Sequence, residues 1–249
     1  MITIKSKEEI QIMKEGGKIL ANVLKEVSKL AKPGVTTKEL DRAAEALILK
    51  YGKPSFKGYE GFPACLCTSI NEEIVHVIPS DRVLKEGDIV SLDSGVFYKG
   101  FHTDMAITVP VGKISLEAQR LIRDTKKALK RGIKKIRPGN TIGDVSNTIQ
   151  RYIESQGFGL VRELCGHGIG KNVHEEPQIP NYGKRGTGPK LAEGMVICLE
   201  PMLTAGDWKI KKAKDGYGFQ TKDGSLSAHF EQTIAVKKDG CEVLTEFEL

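Results

Sequence analysis

Apolar positions recur along this chain at two periods. In KPGVTTKELDRAAEALILKYG, from Lys32, the residues Leu40, Ala44, Leu47 and Ile48 fall at i, i+4, i+7 and i+8, one face of an amphipathic helix. RPGNTIGDVSNTIQRYIESQG, from Arg137, repeats the spacing with Val145, Ile149, Tyr152 and Ile153. Each copy opens on Pro-Gly and reaches a threonine suited to cap the helix, Thr36 or Thr141. The two prolines, Pro33 and Pro138, lie 105 residues apart. Each copy also follows an earlier helical pattern, from Ser6 to Leu30 and from Ser115 to Ile136.

The shorter period repeats as well. EGDIVSLD (Glu86 to Asp93) matches EGMVICLE (Glu193 to Glu200), and HTDMAITV (His102 to Val109) matches HFEQTIAV (His229 to Val236). Four windows in the same order are hard to dismiss as chance. They predict two copies of helix–helix–strands in one pseudo-symmetric α+β domain over 1–249, with halves of about 1–110 and 111–249. An antiparallel sheet would fill the centre, with helices on one side. No Pro/Gly/Ser-rich linker separates the halves; the second carries extra polar residues around DWKIKKAKDGYG.

Within SLDSGVFYKGFHTDMAITV (Ser91 to Val109) two aspartates interrupt an otherwise strand-like hairpin. A turn at Tyr98-Lys99, or a four-residue turn over Phe97 to Gly100, sets Asp93 directly opposite Asp104, with Cβ atoms about 5 Å apart. Alternation then gives them a face with Ser91, Gly95, His102 and Ala106, and turns Val90, Leu92, Val96, Met105 and Ile107 toward the helices. The repeat aligns this pair with Glu200 and Glu231. Glu200 ends the apolar run MVICLE, where a free carboxylate is costly. Folded by the pseudo-symmetry, all four acids converge near its axis. Two surface aspartates on a solvated strand are the bland alternative for the hairpin alone.

Arg and Lys are scarce in these windows, so metal ions are the natural countercharge. His167, in CGHGIGKNVHEEPQIP between Gly166 and Gly168, is the candidate neutral ligand. His174 follows; HEEP is not an H-E-x-x-H site, because Pro177 takes the second histidine's place. His76, in VHVIP, is its counterpart in the first half, giving an opposed pair of histidines, while His102 and His229 read as structural neighbours of the carboxylates. Four carboxylates and an imidazole suit two close divalent ions of Mn, Co, Fe or Zn. Such ions, about 3.5–4 Å apart, share a hydroxide and polarise a carbonyl.

Composition narrows the setting. At 249 residues, 39% hydrophobic and 28% charged, the chain needs no metal merely to fold, so a metal here serves chemistry. A net charge of +6 fits a mildly basic soluble enzyme, and the run KKALKRGIKKIR lacks interleaved aromatics, so it reads as a solvated face and not a nucleic-acid site. Five cysteines, without a C-x-x-C, predict reduced thiols in a cytoplasm. The charged N-terminus has no signal-peptide apolar region, and no run is long enough to span a bilayer.

The segments KGYEGFPACLCTSINEEIVH, GDIVSLDSG, GHGIG, HEEPQIPNYG, ICLEPM and KDGSLSAHFEQT resemble the type I methionine aminopeptidase family over nearly the whole chain. That resemblance implies the pita-bread fold and removal of initiator methionine from nascent chains when the second residue is small, by a metal-bridging hydroxide. It implies that Asp93 binds one metal, that Asp104 and Glu231 bridge both, and that His167 and Glu200 complete the other. Glu200 would also handle the proton of the attacking water. His174 would contact the scissile carbonyl and His76 the scissile nitrogen. Tyr59, Phe62, Cys67, His76 and Tyr217 match the methionine side-chain pocket; for each, ordinary core packing is the alternative. A nearby monovalent cation and transient ribosome association are further expectations, with no membrane partner.

Val77, Thr103, Val173 and Tyr217 depart from the family pattern, which puts pocket shape and rate in question before chemistry. Two rivals remain. The proline-specific peptidases of the same fold usually carry an N-terminal domain, for which a first helix at Ser6 leaves no room. A noncatalytic pita-bread binding module would have lost metal ligands, and all five are present here. No N-terminal zinc-finger extension is expected, and the span from His167 to Glu200 is too short for the type II helical insert.

Overall fold

The structure is a computed structural model and describes residues 1–246. Helix α1 (Lys7–Leu30) begins at Ser6, whose hydroxyl accepts from the Glu9 amide while the Glu9 carboxylate accepts from the Ser6 amide. Helix α2 (Thr37–Ile48) starts with the same reciprocal cap between Thr36 and Glu39. In the second half, α3 (Leu116–Ile133) is capped by Ser115, and α4 (Ile142–Ser155) by Thr141 with Asp144. The apolar stripes named from sequence point inward: Leu40, Ala44 and Ile48 of α2, and Val145, Ile149 and Ile153 of α4, are buried in one core. Helix α3 stops short of Ile136, where the bonds Lys135 to Gly132 and Ile136 to Ile133 tighten the chain and tuck Ile136 into the core.

The main sheet has nine strands: β1 (Lys53–Pro54), β2 (Leu66–Ile70), β3 (Ile89–Tyr98), β4 (Phe101–Pro110), β5 (Cys165–Gly168), β6 (Glu175–Pro180), β7 (Val196–Leu199), β8 (Glu231–Lys237) and β9 (Gly240–Val243). Their order is β1-β3-β4-β8-β7-β5-β6, with β2 on β3 and β9 on β8. The pairs are antiparallel, and the halves meet where β4 pairs with β8. Two three-stranded sheets flank it; one joins Met202–Thr204 with Ser227–His229 and Gly159–Leu160.

Bonds between the elements repeat as the sequence windows do. Thr36 bridges Val83 as Thr141 bridges Lys190. The Gly34 amide donates to Leu84 as Gly139 donates to Leu191, and Gly87 donates to Val111 as Gly194 donates to Val236. This pseudo-two-fold, a curled antiparallel sheet backed by four helices among the described residues, is the predicted α+β pita-bread fold. All five cysteines are free, with Cys65, Cys67 and Cys198 buried. Among the described residues no helix is long and apolar enough to cross a membrane.

The hairpin corrects the predicted register. Tyr98 pairs with Phe101, so the turn is Lys99-Gly100, with φ of 46° and 92°. Both residues in the left-handed region make a two-residue turn whose twist suits the strands, and a glycine at the second position fills it without strain. Asp93 therefore faces Ala106 and Asp104 faces Gly95. The aspartates are diagonal neighbours and not directly opposite. The shift is two residues, so the face assignment survives: Val90, Leu92, Val96, Met105 and Ile107 all lie in the helix-side core.

Candidate metal centre

Strand ends and glycines bring the acids together. Asp93 sits mid-strand in β3 and Asp104 in β4, Glu231 opens β8, and Glu200 follows the last residue of β7. Glu231 lies across from Ala106, which is also the cross-strand partner of Asp93. One small residue thus leaves space beneath three carboxylates. The junction between halves is short, and side chains complete it. The Thr233 hydroxyl accepts from the Asp104 amide at 2.9 Å and donates to its carbonyl at 2.7 Å. The Thr108 hydroxyl treats the His229 amide and carbonyl the same way, at 2.9 and 2.8 Å. These bonds fix the backbones that carry Asp104 and Glu231.

His167 enters from β5, which is squeezed between two neighbours. A Cβ on Gly166 would stand 2.3 Å from the Cys198 carbonyl, and one on Gly168 would stand 2.2 Å from the Glu176 carbonyl. The flanking glycines thus admit the adjacent backbones. The His167 Nδ1–H donates to the Gly168 carbonyl at 2.8 Å, because a carbonyl can only accept. Its Nε2 lone pair is left facing Glu200 and Glu231, with oxygens at 3.7 and 3.8 Å.

The carboxylates are buried and short of partners. Asp93 Oδ1, Asp104 Oδ1 and Glu231 Oε1 have no hydrogen-bond donor. Burial first, then mutual repulsion, pushes Asp104, Glu200 and Glu231 well above the usual carboxylate range. Burial raises Asp93 to about 6, even with His229 opposing it. Burial also lowers His167 to about 3 and His229 to about 4, so neither supplies positive charge. Orphaned acceptors, neutral imidazoles and ligand atoms within 4.8 Å of one another across Asp93, Asp104 and Glu231 form a donor set that fits hard or borderline divalent cations.

A cavity of about 290 Å³ opens over this cluster. It is lined by all five predicted ligands, by His76 and His174, and by the predicted pocket residues Tyr59, Phe62, Cys67 and Tyr217. Phe62 and Tyr217 meet edge to face at 5.6 Å. His174 lies between Tyr59, whose hydroxyl is 3.0 Å from its Nδ1, and the His167 ring, 4.4 Å away. His76 stands against Phe219 with φ of +61°, a left-handed conformation uncommon outside glycine. Burial within the cleft lowers His76 to about 4 and also lowers His174.

Sequence reasoning missed Phe56, Phe219 and Lys212, which also line the cavity; they lie outside the repeated windows. His229 is the structural neighbour expected, with Nε2 3.6 Å from Glu200. His102 turns away, packing on Phe97 with Nδ1 at 2.9 Å from the Ser55 hydroxyl. Of the departures from the family pattern, Thr103 points at α1 beside Gly16 and Val173 is buried; neither lines the cavity. Val77 packs where a Cβ on Gly218 would stand, beside Tyr217.

The model of metallopeptidase family M24 matches residues 11–238. A methionine aminopeptidase of Clostridium acetobutylicum is 51% identical over 98% of this chain and 99% of its own length. The chain belongs to the methionine aminopeptidases of metallopeptidase family M24. The crystal structure of a methionine aminopeptidase from Thermotoga maritima superposes with a TM-score of 0.97 at 45% identity, covering 99% of this chain and all of that one. A prolidase from Pyrococcus horikoshii shares the fold alone, at a TM-score of 0.81 and 24% identity, with this chain spanning 64% of it. As a metallopeptidase of this family, the chain binds divalent metal ions, and the buried acid cluster is where the donors for them converge.

Proposed function

We propose that this metallo-aminopeptidase removes the initiator methionine from nascent chains whose second residue is small, in the cytoplasm, as a single catalytic domain. The observation that carries the reading is the set of four buried carboxylates, three of which keep an oxygen without a donor, beneath an aromatic, sulfur-lined cavity. Asp93, Asp104, His167, Glu200 and Glu231 would hold two divalent ions. Asp104 and Glu231, carried by the two strands that pair across the junction between halves and with ligand atoms within 4.8 Å of each other, would take the bridging positions. When bound, the ions would activate a water and polarise the substrate carbonyl. The identity of the metal among Mn, Co, Fe and Zn belongs to this proposal, as do a monovalent cation nearby and transient docking on the ribosome.

The chain's own groups supply the rest. Glu200, which lines the cavity beside the other acids, would take the proton of the attacking water and pass it toward the leaving amine. In this proposal the Tyr59 hydroxyl, 3.0 Å from the His174 Nδ1, is the donor of their hydrogen bond. With Tyr59 donating, the His174 proton sits on Nε2, placed to donate to the carbonyl oxygen as charge develops there. His76, neutral in the same cleft, donates to or accepts from the scissile nitrogen. Phe62, Cys67, Tyr59 and Tyr217 surround the methionine side chain, where a thioether gains from ring contacts.

The test is a substrate panel with Mn(II) or Co(II) added: Met-Ala-Ser, Met-Leu-Ser and an Xaa-Pro peptide. The reading predicts rapid methionine release from the first, little from the second and no cleavage of the third. Preferred cleavage of the Xaa-Pro peptide would move the chain to the prolidase branch of the fold.

A further inference from the structure

Lys5 lies outside every motif, yet its side chain is only 5% exposed and its Nζ is 2.7 Å from the Glu175 carboxylate, itself 7% exposed. Thr3 extends the contact, accepting from Lys5 and donating to Glu175. The other Glu175 oxygen accepts from the Asn172 amide at 3.2 Å, and the Asn172 carbonyl accepts from Gly170. A Cβ on Gly170 would fall 2.5 Å from Lys5 Cε and 2.8 Å from Glu175 Oε1, so the glycine makes room for the pair. The outer ends are anchored too. The Lys5 amide donates to Gly194 at 2.8 Å, and the His102 amide donates to Gly170 at 2.7 Å.

Glu175 is the peptide neighbour of His174. The His174 ring is exposed to the cleft, and Tyr59 holds its Nδ1. Its backbone pose therefore follows the turn from Gly170 to Glu175, of which the Glu175 carboxylate is the hub. Burial raises the Glu175 carboxyl, but Lys5, Thr3 and Asn172 outweigh it and hold the group below its ordinary value, so the pair is ionic. From these contacts we infer that Lys5 and Glu175 are positioning residues: the buried pair clamps the N-terminal segment onto the Gly170–Glu175 turn and thereby aims His174 at the substrate carbonyl. This rests on the role given to His174 in the proposed function.

The experiment compares Lys5→Met, Lys5→Arg, Glu175→Gln and the double variant Lys5→Met/Glu175→Gln, each also in a His174→Ala background. Removing one charge leaves the other buried and unpaired, so a single variant can lose its fold; the double variant removes both and keeps the test open. The expected result is a fall in kcat of about 10-fold or more, with KM within about twofold and partial rescue by Lys5→Arg, since small displacements of an aimed group are felt in rate. In the His174→Ala background the same changes should alter kcat by less than about twofold, because residues acting through one group are not additive. Unchanged kcat in a folded variant, or an equal loss with and without His174, would overturn the clamp. Should the parent protein release no methionine at all, the proposed function fails separately. Hydrogen exchange in the metal-free protein then decides: amides 172–175 should exchange faster in the double variant, and unchanged exchange there overturns the inference.

Discussion

At the scale of single residues, the site is a set of groups denied their ordinary partners. Asp104 and Glu231 are 3% exposed, and each keeps an oxygen without a donor. An unpaired buried acceptor is expensive, and four together repel, so the arrangement makes sense only with cations. His167 shows how little is needed to choose a tautomer: one backbone carbonyl fixes the proton on Nδ1 and frees Nε2. In the proposed function Tyr59 does the converse for His174, donating to its Nδ1. Replacing Tyr59 with Phe should therefore lower kcat about 10-fold, the low end for removing a group that orients an imidazole, with metal affinity by calorimetry unchanged. A loss of metal affinity in that variant would place Tyr59 elsewhere in the mechanism. The ligands were legible in the sequence because acids in apolar, period-two runs break a pattern that physics otherwise enforces. Lys5 and Glu175 were not, because a buried ion pair 170 residues apart in the chain leaves no periodic trace.

At the scale of elements, strand contacts decide where the ligands stand. The helices could be read from caps and stripes, since both signals are local: Thr36 and Thr141 cap as expected, and Ser6 and Ser115 cap the two helices whose patterns begin at them. The hairpin register was harder. A turn at Tyr98-Lys99 and one at Lys99-Gly100 bury the same faces, so the apolar pattern cannot separate them. Left-handed φ at Lys99 and Gly100 selects the second. Asp93 and Asp104 sit diagonally as a result, with Glu231 brought in across Ala106. Two variants test this level. Gly166→Ala should push β5 off β7, because its Cβ would meet the Cys198 carbonyl, and metal affinity should fall though no ligand is changed. Thr233→Val leaves the Asp104 amide and carbonyl without their partner; stability should drop by about 1–3 kcal/mol in denaturant melts, with weaker metal binding. Parent-like metal affinity in Gly166→Ala would mean that β5 does not position His167.

For the molecule as a whole, pseudo-symmetry places a charged seam in the middle of the sheet, and stability should answer to it. Carboxylates raised above their unfolded values retain protons that the unfolded chain has released. The stability they contribute is present below the unfolded value and is lost as pH rises through the folded one. His76, His167 and His229, lowered from 6.5 to about 4, 3 and 4, act the other way, losing stability as pH falls below 6.5. Above that pH these histidines are neutral in both states, and Asp93, at about 6, is largely ionised. The remaining trend belongs to Asp104, Glu200 and Glu231. The metal-free protein should therefore melt at progressively lower temperature as pH rises above about 6.5, with a shallower slope in Asp104→Asn. Divalent metal should raise the melting temperature more at higher pH, since binding displaces those protons. A flat profile in the metal-free protein would show that the acids ionise freely. The central claim, that this seam holds the ions for removing a terminal methionine, is tested most directly by titrating Mn(II) or Co(II) into the metal-free protein and following free methionine released from Met-Ala-Ser, beside Asp104→Asn. The account predicts release that rises with metal in the parent and is nearly abolished in the variant. No release from the folded parent with either metal, or full activity in Asp104→Asn, would contradict it.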